Sequence, residues 1–173
     1  QGRGGMSPFS VSVRERLVLT PVELVNVWKH IVWGSVALFV LGGISPEIFS
    51  LSAAWSRGGA AIMSGLLGLV CGAVVSPLLL PWLPGRSFAV KGAATGLVAG
   101  VIAALAFAEG LSWLNSLSLI IAVSSISSWY AMHFTGSATF TSPSGVEKEM
   151  RQAIPAQAAA LLVSALCWLA TAF

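Results

Sequence analysis

The chain has 173 residues, of which 56% are hydrophobic and only 9% are charged. A soluble domain usually carries about 25% charged residues, because its surface faces water. The composition therefore excludes an ordinary soluble domain and favours an integral membrane protein. The nine basic residues and the net charge of +3 form no basic run, so they do not indicate a nucleic-acid partner.

Residues 1–19 are predicted to be a linker or juxtamembrane segment, and residues 20–173 a transmembrane domain. The first eight residues are rich in glycine, and Met6 is not the first residue. We therefore expect the chain to be part of a longer protein. Thr20, Pro21 and Glu23 have the spacing of a helix start, with a capping residue, a proline and a capping-box acid.

Five segments are long and apolar enough to cross a bilayer, whose ~30 Å hydrocarbon core needs roughly 20 apolar residues. The predicted spans are 22–41, 58–80, 90–108, 114–132 and 155–173. Residues 45–57 are expected to form a short interfacial helix. Residues 134–154 are expected to form a cytoplasmic loop that leads into an amphipathic helix. The predicted fold class is an all-α integral membrane protein, a bundle of five transmembrane helices.

Basic residues determine the predicted orientation, because cytoplasmic loops of membrane proteins carry an excess of Lys and Arg. All of them except Arg57 fall on the side that holds the N-terminus: Arg3, Arg14, Arg16, Lys29, Arg86, Lys91, Lys148 and Arg151. We therefore expect a multi-pass protein of the cytoplasmic (inner) membrane, with the N-terminus inside and the C-terminus outside. Tryptophans are predicted to mark both boundaries, namely Trp28, Trp82 and Trp129 inside, and Trp55, Trp113 and Trp168 outside.

Small residues indicate where the helices pack closely. Glycines recur every four residues within the second and third predicted spans, at Gly68, Gly72, Gly92, Gly96 and Gly100. Such faces let helix backbones approach one another. We expect packing within one chain, with a homodimer face as the alternative.

The centres of the five predicted spans contain no Asp, Glu, Lys or Arg. A proton-coupled transporter therefore lacks its usual groups. A small transporter or channel remains the leading alternative function, with a path lined by hydroxyl groups of the fourth span. Its candidate residues are Ser116, Ser118, Ser124, Ser125, Ser127 and Ser128.

Two cysteines and two histidines are candidate metal ligands. Cys71 and Cys167 lie inside predicted spans, where a thiol is usually inert, although thiolates bind soft metals. His30 and His133 are expected near the cytoplasmic face as interfacial residues, because two histidines without a third ligand make a weak metal site.

The most distinctive segment is rich in hydroxyl groups and continues into a charged helix, with the sequence FTGSATFTSPSGVEKEMR at 134–151. Ser144 and Glu147 have capping-box spacing, and Glu147 and Arg151 form an i,i+4 pair. We interpret this segment as a docking surface for a soluble partner or domain. Its predicted residues are Thr135, Gly136, Ser137, Thr141, Ser144, Glu147, Lys148 and Arg151, with Arg86 from the preceding loop.

This segment resembles the membrane domain of the mercury-methylating corrinoid proteins, and related segments occur in corrinoid proteins of the acetyl-CoA pathway. The sequences RLVLTPVEL at 16–24 and LPWLPGR at 80–86 are similar to the same family. The likeness covers most of the chain. It implies a five-helix membrane domain that anchors a missing N-terminal corrinoid-binding domain at the cytoplasmic membrane.

The resemblance further implies methyl transfer from methylcobalamin to Hg(II), with a ferredoxin carrying two 4Fe–4S clusters as the partner that reduces cobalt. The family's cobalt-facing cysteine belongs to an Asn-Val-Trp-Cys type motif on the corrinoid domain, whereas this chain has NVWK at 26–29. No corrinoid ligand or catalytic residue is therefore assigned here, and the corrinoid is expected on the missing domain. Cys71 and Cys167 are candidates for relaying Hg(II) or the methylated product. A passive membrane anchor is the third interpretation.

Overall fold

The computed structural model describes the backbone of residues 13–46, 48–79, 82, 87–106, 112–135 and 143–173. Within these ranges it describes the side chains from residue 28 onwards, except those of 134, 135 and 143–146. The described part of the chain consists of helices and one small hairpin.

The bundle contains five described helices: α1 (Val13–Gly42), α2 (Leu51–Leu79), α3 (Phe88–Ala106), α4 (Trp113–Thr135) and α5 (Pro143–Ala170). Helix α2 includes two π-helical segments, Ala54–Gly58 and Cys71–Val75. Helices α2 to α5 are long and apolar enough to cross a membrane, whereas the described apolar part of α1 is shorter, Trp28–Gly42. The described fold is therefore all-α, with four helices able to span a membrane.

Residues 45–57 do not form the separate interfacial helix that we expected. Strands β1 (Ile44–Ser45) and β2 (Ile48–Phe49) pair as an antiparallel hairpin, and α2 begins directly afterwards at Leu51. Ser50 accepts a 3.4 Å hydrogen bond from the backbone N–H of Ala53 and so caps the start of α2. The helix that contains the predicted second span, 58–80, therefore begins at Leu51.

The predicted amphipathic helix and the predicted fifth span form one continuous helix, α5. Pro155 lies inside it and has no N–H to donate to the carbonyl of Arg151. At 1.5 Å per residue, α5 is roughly 42 Å long and exceeds a ~30 Å hydrocarbon core. Its charged N-terminal part therefore extends out of the apolar layer.

Helix α4 is the centre of the bundle and packs against α2, α3 and α5. A Cβ atom on Gly96 would lie 2.6 Å from Cβ of Ser127, and one on Gly68 would lie 2.9 Å from Cβ of Ile126. These distances are too short for any side chain. All five glycines of the two predicted glycine faces lie against α4: Gly68, Gly72, Gly92, Gly96 and Gly100.

Hydroxyl groups follow the same helix–helix seams. Serines of α4 donate to backbone carbonyl oxygens of α3 in three pairs: Ser124 to Ala93 at 2.9 Å, Ser127 to Gly92 at 2.7 Å and Ser128 to Ala89 at 2.8 Å. On the opposite face of α4, Ser164 of α5 donates to the carbonyl of Ser118 at 2.7 Å. These bonds satisfy hydroxyl groups that would otherwise be unpaired in an apolar layer, and they hold α4 in register.

Arg57 closes one end of the bundle. Its guanidinium donates to Thr171 Oγ1 at 3.1 Å and to the backbone carbonyls of Ile44 and Trp168 at 3.0 Å each, with a longer bond to Gly42 at 3.4 Å. It also lies 5.6 Å from the ring centroid of Trp168. One side chain thus joins the ends of α1, α2 and α5. We call this end the Arg57 side and the opposite end, where α3 begins, the Lys91 side.

The tryptophans divide into exposed and buried residues. Trp82 is 84% exposed and Trp113 is 77% exposed, as expected of side chains that contact a membrane interface. Trp168 is only 5% exposed, because it packs beneath Arg57. The predicted membership of Trp168 in an interfacial belt is therefore wrong, although the residue does lie on the expected side of the bundle.

We expect Gly96→Ala to lower the free energy of unfolding by about 1–3 kcal/mol, the usual effect of overpacking a tight contact. Gly65→Ala is the matched control, because a Cβ atom there meets nothing within 4 Å. The control should leave stability unchanged or raise it by about 1 kcal/mol through helix propensity. Unfolding in detergent, followed by circular dichroism, measures both. Equal stability of the two variants would contradict the close packing.

Candidate functional site

The helix ends that flank the segments resembling corrinoid proteins lie together on the Lys91 side. The start of α3 contacts α5 through Glu149 and Ala89, and His30 of α1 lines the same groove as Ile154 of α5. The end of α4 also lies here, since Ser128 bonds to Ala89. The start of α1, the end of α4 and the starts of α3 and α5 therefore face one side.

Glu149 of α5 caps the first turn of α3. Its Oε1 accepts hydrogen bonds from the backbone N–H of Ala89 at 2.7 Å and from Ser87 Oγ at 2.9 Å. Ser87 Oγ in turn accepts from the N–H of Val90 at 3.3 Å. The first N–H groups of a helix have no partner inside it, and the helix dipole favours a negative charge there. Glu149 therefore fixes the start of α3 against α5.

The charged face of α5 is exposed next to this cap. Glu147, Lys148, Arg151 and Gln152 surround a shallow depression of about 280 Å³. Arg151 Nη2 lies 3.7 Å from Glu147 Oε1, and the two side chains are 82% and 72% exposed. An ion pair this exposed contributes about 0–1 kcal/mol to stability. These charges are thus available to a partner at little structural cost.

The other predicted docking residues are only partly described. Thr135 is the last residue of α4, and Ser144 lies in the first turn of α5. The remaining predicted docking residues lie outside the described residues: Arg86, Gly136, Ser137 and Thr141. Their contribution to a docking surface stays a prediction.

The two cysteines lie in different halves of the bundle. Cys71 is buried and opens the second π-helical segment of α2, while Cys167 is partly exposed beside Trp168 on the Arg57 side. Arg57 and Cys71 are both on α2, and their spacing in sequence places them roughly 20 Å apart along its axis. The thiols therefore do not share one site, and a relay would need two separate binding steps.

The histidines also fail to form a described metal centre. His133 Nδ1 lies 3.0 Å from the backbone carbonyl of Trp129, and the two rings are 4.5 Å apart. His30 is exposed on α1. Within the described ranges, no three His, Cys, Asp or Glu side chains could hold one metal ion.

The serines proposed for a polar path are used mainly in packing. Ser124, Ser127 and Ser128 bond to α3, and Ser118 donates to the carbonyl of Asn115 at 2.7 Å. None of the six candidate serines lines either of the two large cavities described below. Three of the six serines therefore contribute to helix–helix contacts, and Ser118 bonds within its own helix.

Two residues of this region are not among those that the sequence singles out. Glu149 acts on residues about sixty positions away in the chain, so spacing alone does not reveal its contact. Gln157 is buried in α5 and bonds to Ser128. The signal in the sequence that points to Gln157 is an amide inside a predicted span, because polar groups in membrane helices often have a function.

Comparisons with protein-family models, curated proteins and solved structures found no match to this chain. Its function must therefore be proposed from its own residues and geometry.

We expect Glu149→Ala to lower the free energy of unfolding by about 1–2 kcal/mol, as loss of a helix cap does. Glu149→Gln keeps an acceptor oxygen and should lose less. Glu147→Ala is the control, since Glu147 is exposed and its ion pair contributes little. Detergent unfolding compares the three variants. A larger loss at Glu147 than at Glu149 would refute the capping role.

Proposed function

We propose that this chain is the membrane domain of a corrinoid-dependent methyltransferase that methylates Hg(II). Its role is to hold a cobalamin-binding domain at the cytoplasmic membrane and to offer that domain, or its ferredoxin, a docking surface. The observation that carries the proposal is the resemblance of 16–24, 80–86 and 134–150 to corrinoid proteins.

The positions of the described helix ends that flank these segments support the proposal. The helix ends that flank them lie together on the Lys91 side, beside the exposed Glu147, Lys148 and Arg151. A soluble domain attached before α1 would emerge on that same side. We further propose five spans, with α1 as the first, and an N-terminus in the cytoplasm, because eight of the nine basic residues are predicted on the side that holds the N-terminus.

The described chemistry of the chain supports an anchoring and docking role more than a transport role. The hydroxyl groups that a path would need are bonded to helix carbonyls. The exposed Glu147 and Arg151, in contrast, form only a weak ion pair with each other. A passive anchor differs from a docking domain only in whether those exposed charges contribute to binding a partner.

The test is methylation of Hg(II) by cells that carry the complete parent gene, with corrinoid and the ferredoxin supplied. We expect activity from the full-length gene. A gene that ends before Thr20, and so lacks the membrane domain, should give no activity. No methylation by the full-length strain would refute the proposal and favour the alternative function, a small transporter or channel.

Docking is separated from passive anchoring by reversing the exposed charges. Lys148→Glu with Arg151→Glu should lower methylation at least tenfold at unchanged membrane levels, because complementary charges set partner association. Lys148→Arg with Arg151→Lys keeps both charges and is the matched control. Full activity of the charge-reversed variant, or of a parent whose membrane domain is replaced by an unrelated anchor, would indicate a passive anchor.

The metal relay is a separate hypothesis. If Cys71 and Cys167 pass Hg(II) or methylmercury along the bundle, replacing both with Ala should lower methylation in cells while leaving the protein level unchanged. Soft-metal transfer needs thiolates, which alanine cannot supply. Methylation that persists at the original rate would eliminate the relay and leave the docking role untouched.

A further inference from the structure

A groove on the outside of the bundle lies between α1, α2, α4 and α5, in the half nearer the Lys91 side. Its volume is about 550 Å³. A Cβ atom on Gly34 or Gly65, which face it from α1 and α2, would meet nothing within 4 Å. Its walls are mainly apolar and include Leu38, Leu66, Leu69, Ile126, Ile154 and Leu161. We call this space the lateral groove.

The lateral groove contains one buried amide, that of Gln157. The residue is only 6% exposed, and its Nε2 donates to Ser128 Oγ at 2.7 Å. Ser128 Oγ has a single proton, which it donates to the carbonyl of Ala89 at 2.8 Å. Ser128 must therefore accept from Gln157, and this fixes which end of the amide faces it.

The fixed amide leaves its oxygen unpaired. Gln157 Oε1 is buried and has no hydrogen-bond partner among the described residues. It cannot exchange places with Nε2, because that nitrogen is committed to Ser128. Buried acceptors in native proteins are nearly always paired with protein or water, so this oxygen needs a donor from outside the described residues.

We propose that the lateral groove binds an amphiphile whose long apolar chain lies along the walls and whose hydroxyl or amine group donates to Gln157 Oε1. Less than 1 Å² of Oε1 is accessible, so the neighbouring wall side chains must shift for the donor to reach it. The walls favour an apolar chain. The acceptor requires a donor and disfavours an anion. Exposed residues such as Gly34, Ile154 and Leu161 border the groove, so the ligand enters sideways from the bilayer.

A second cavity provides an internal comparison. It has a volume of about 690 Å³, lies between α2, α3 and α4 towards the Arg57 side, and is lined by residues such as Trp55, Ala103 and Leu119. None of the three buried unpaired polar atoms of the described side chains belongs to a residue that lines it. Apolar molecules could enter it, but nothing there selects a donor.

The test uses photolabelling of the chain in phosphatidylcholine nanodiscs, because that lipid has no N–H or O–H donor. The probes are a dodecanol that carries a diazirine and its methyl ether, which differ only in the donor. Labelled positions are located by peptide mass spectrometry. We expect the alcohol to label the lateral groove about fivefold more than the ether, the factor that one neutral hydrogen bond provides.

Four variants assign the effect to the lateral groove. Gln157→Leu should reduce alcohol labelling to the level of the ether, and Gly34→Leu should reduce labelling by both probes. Ser128→Ala removes the acceptor that fixes the amide and should therefore weaken the preference for the alcohol. Ala103→Leu, which fills the other cavity, should change neither. Circular dichroism verifies that each variant is folded.

Equal labelling by the two probes, or an alcohol preference that survives Gln157→Leu, would overturn the proposal. Competition then separates the two sources of the donor. Displacement by added phosphatidylethanolamine identifies a lipid head group, whereas displacement only by a quinol identifies a lipid-soluble alcohol. Displacement by neither overturns the proposal as well. None of these outcomes depends on the methyltransferase proposal.

Discussion

The close approach of α2 and α3 to α4 is the constraint on which the rest of the structure depends. Lipid chains are as apolar as the side chains, so packing apolar side chains between membrane helices gains no hydrophobic free energy. The helices therefore associate through dispersion contacts and hydrogen bonds. Both need backbones within reach of one another. Gly68 and Gly96 allow that approach from two sides of α4, and the serines of α4 then reach carbonyl oxygens of α3. Without the glycines of α3, these hydroxyl groups could not reach its carbonyl oxygens.

The two ends of the bundle use charge differently. On the Lys91 side, Glu149 of α5 accepts a hydrogen bond from the start of α3, while Glu147 and Arg151 of α5 remain exposed. On the Arg57 side, the guanidinium of Arg57 is enclosed by carbonyl oxygens and an aromatic ring. Among the described residues, Glu147 and Arg151 are exposed on the Lys91 side, whereas Arg57 is enclosed on the opposite side. This asymmetry is what makes the Lys91 side the better candidate for recognition.

Much of the architecture follows from composition and spacing. Four of the five predicted spans correspond to helices long and apolar enough to cross a membrane, because apolar runs and helix length are local properties. The sequence does not predict the continuous α5, because a proline normally ends a helix, yet Pro155 is accommodated within this one. The cap by Glu149 and the unpaired oxygen of Gln157 depend on residues distant in the chain. Such contacts exist only once the helices are packed.

The partners of Arg57 impose an order on biosynthesis. When α1 and α2 first enter the bilayer, the ribosome has made the carbonyls of Gly42 and Ile44, but not Trp168 or Thr171, which lie more than a hundred residues later. A cation in a membrane helix is costly until it is fully solvated or paired. Arg57 must therefore remain near the interface, with water completing its shell, until α5 arrives. Insertion of the last helix then replaces that water and seals the bundle.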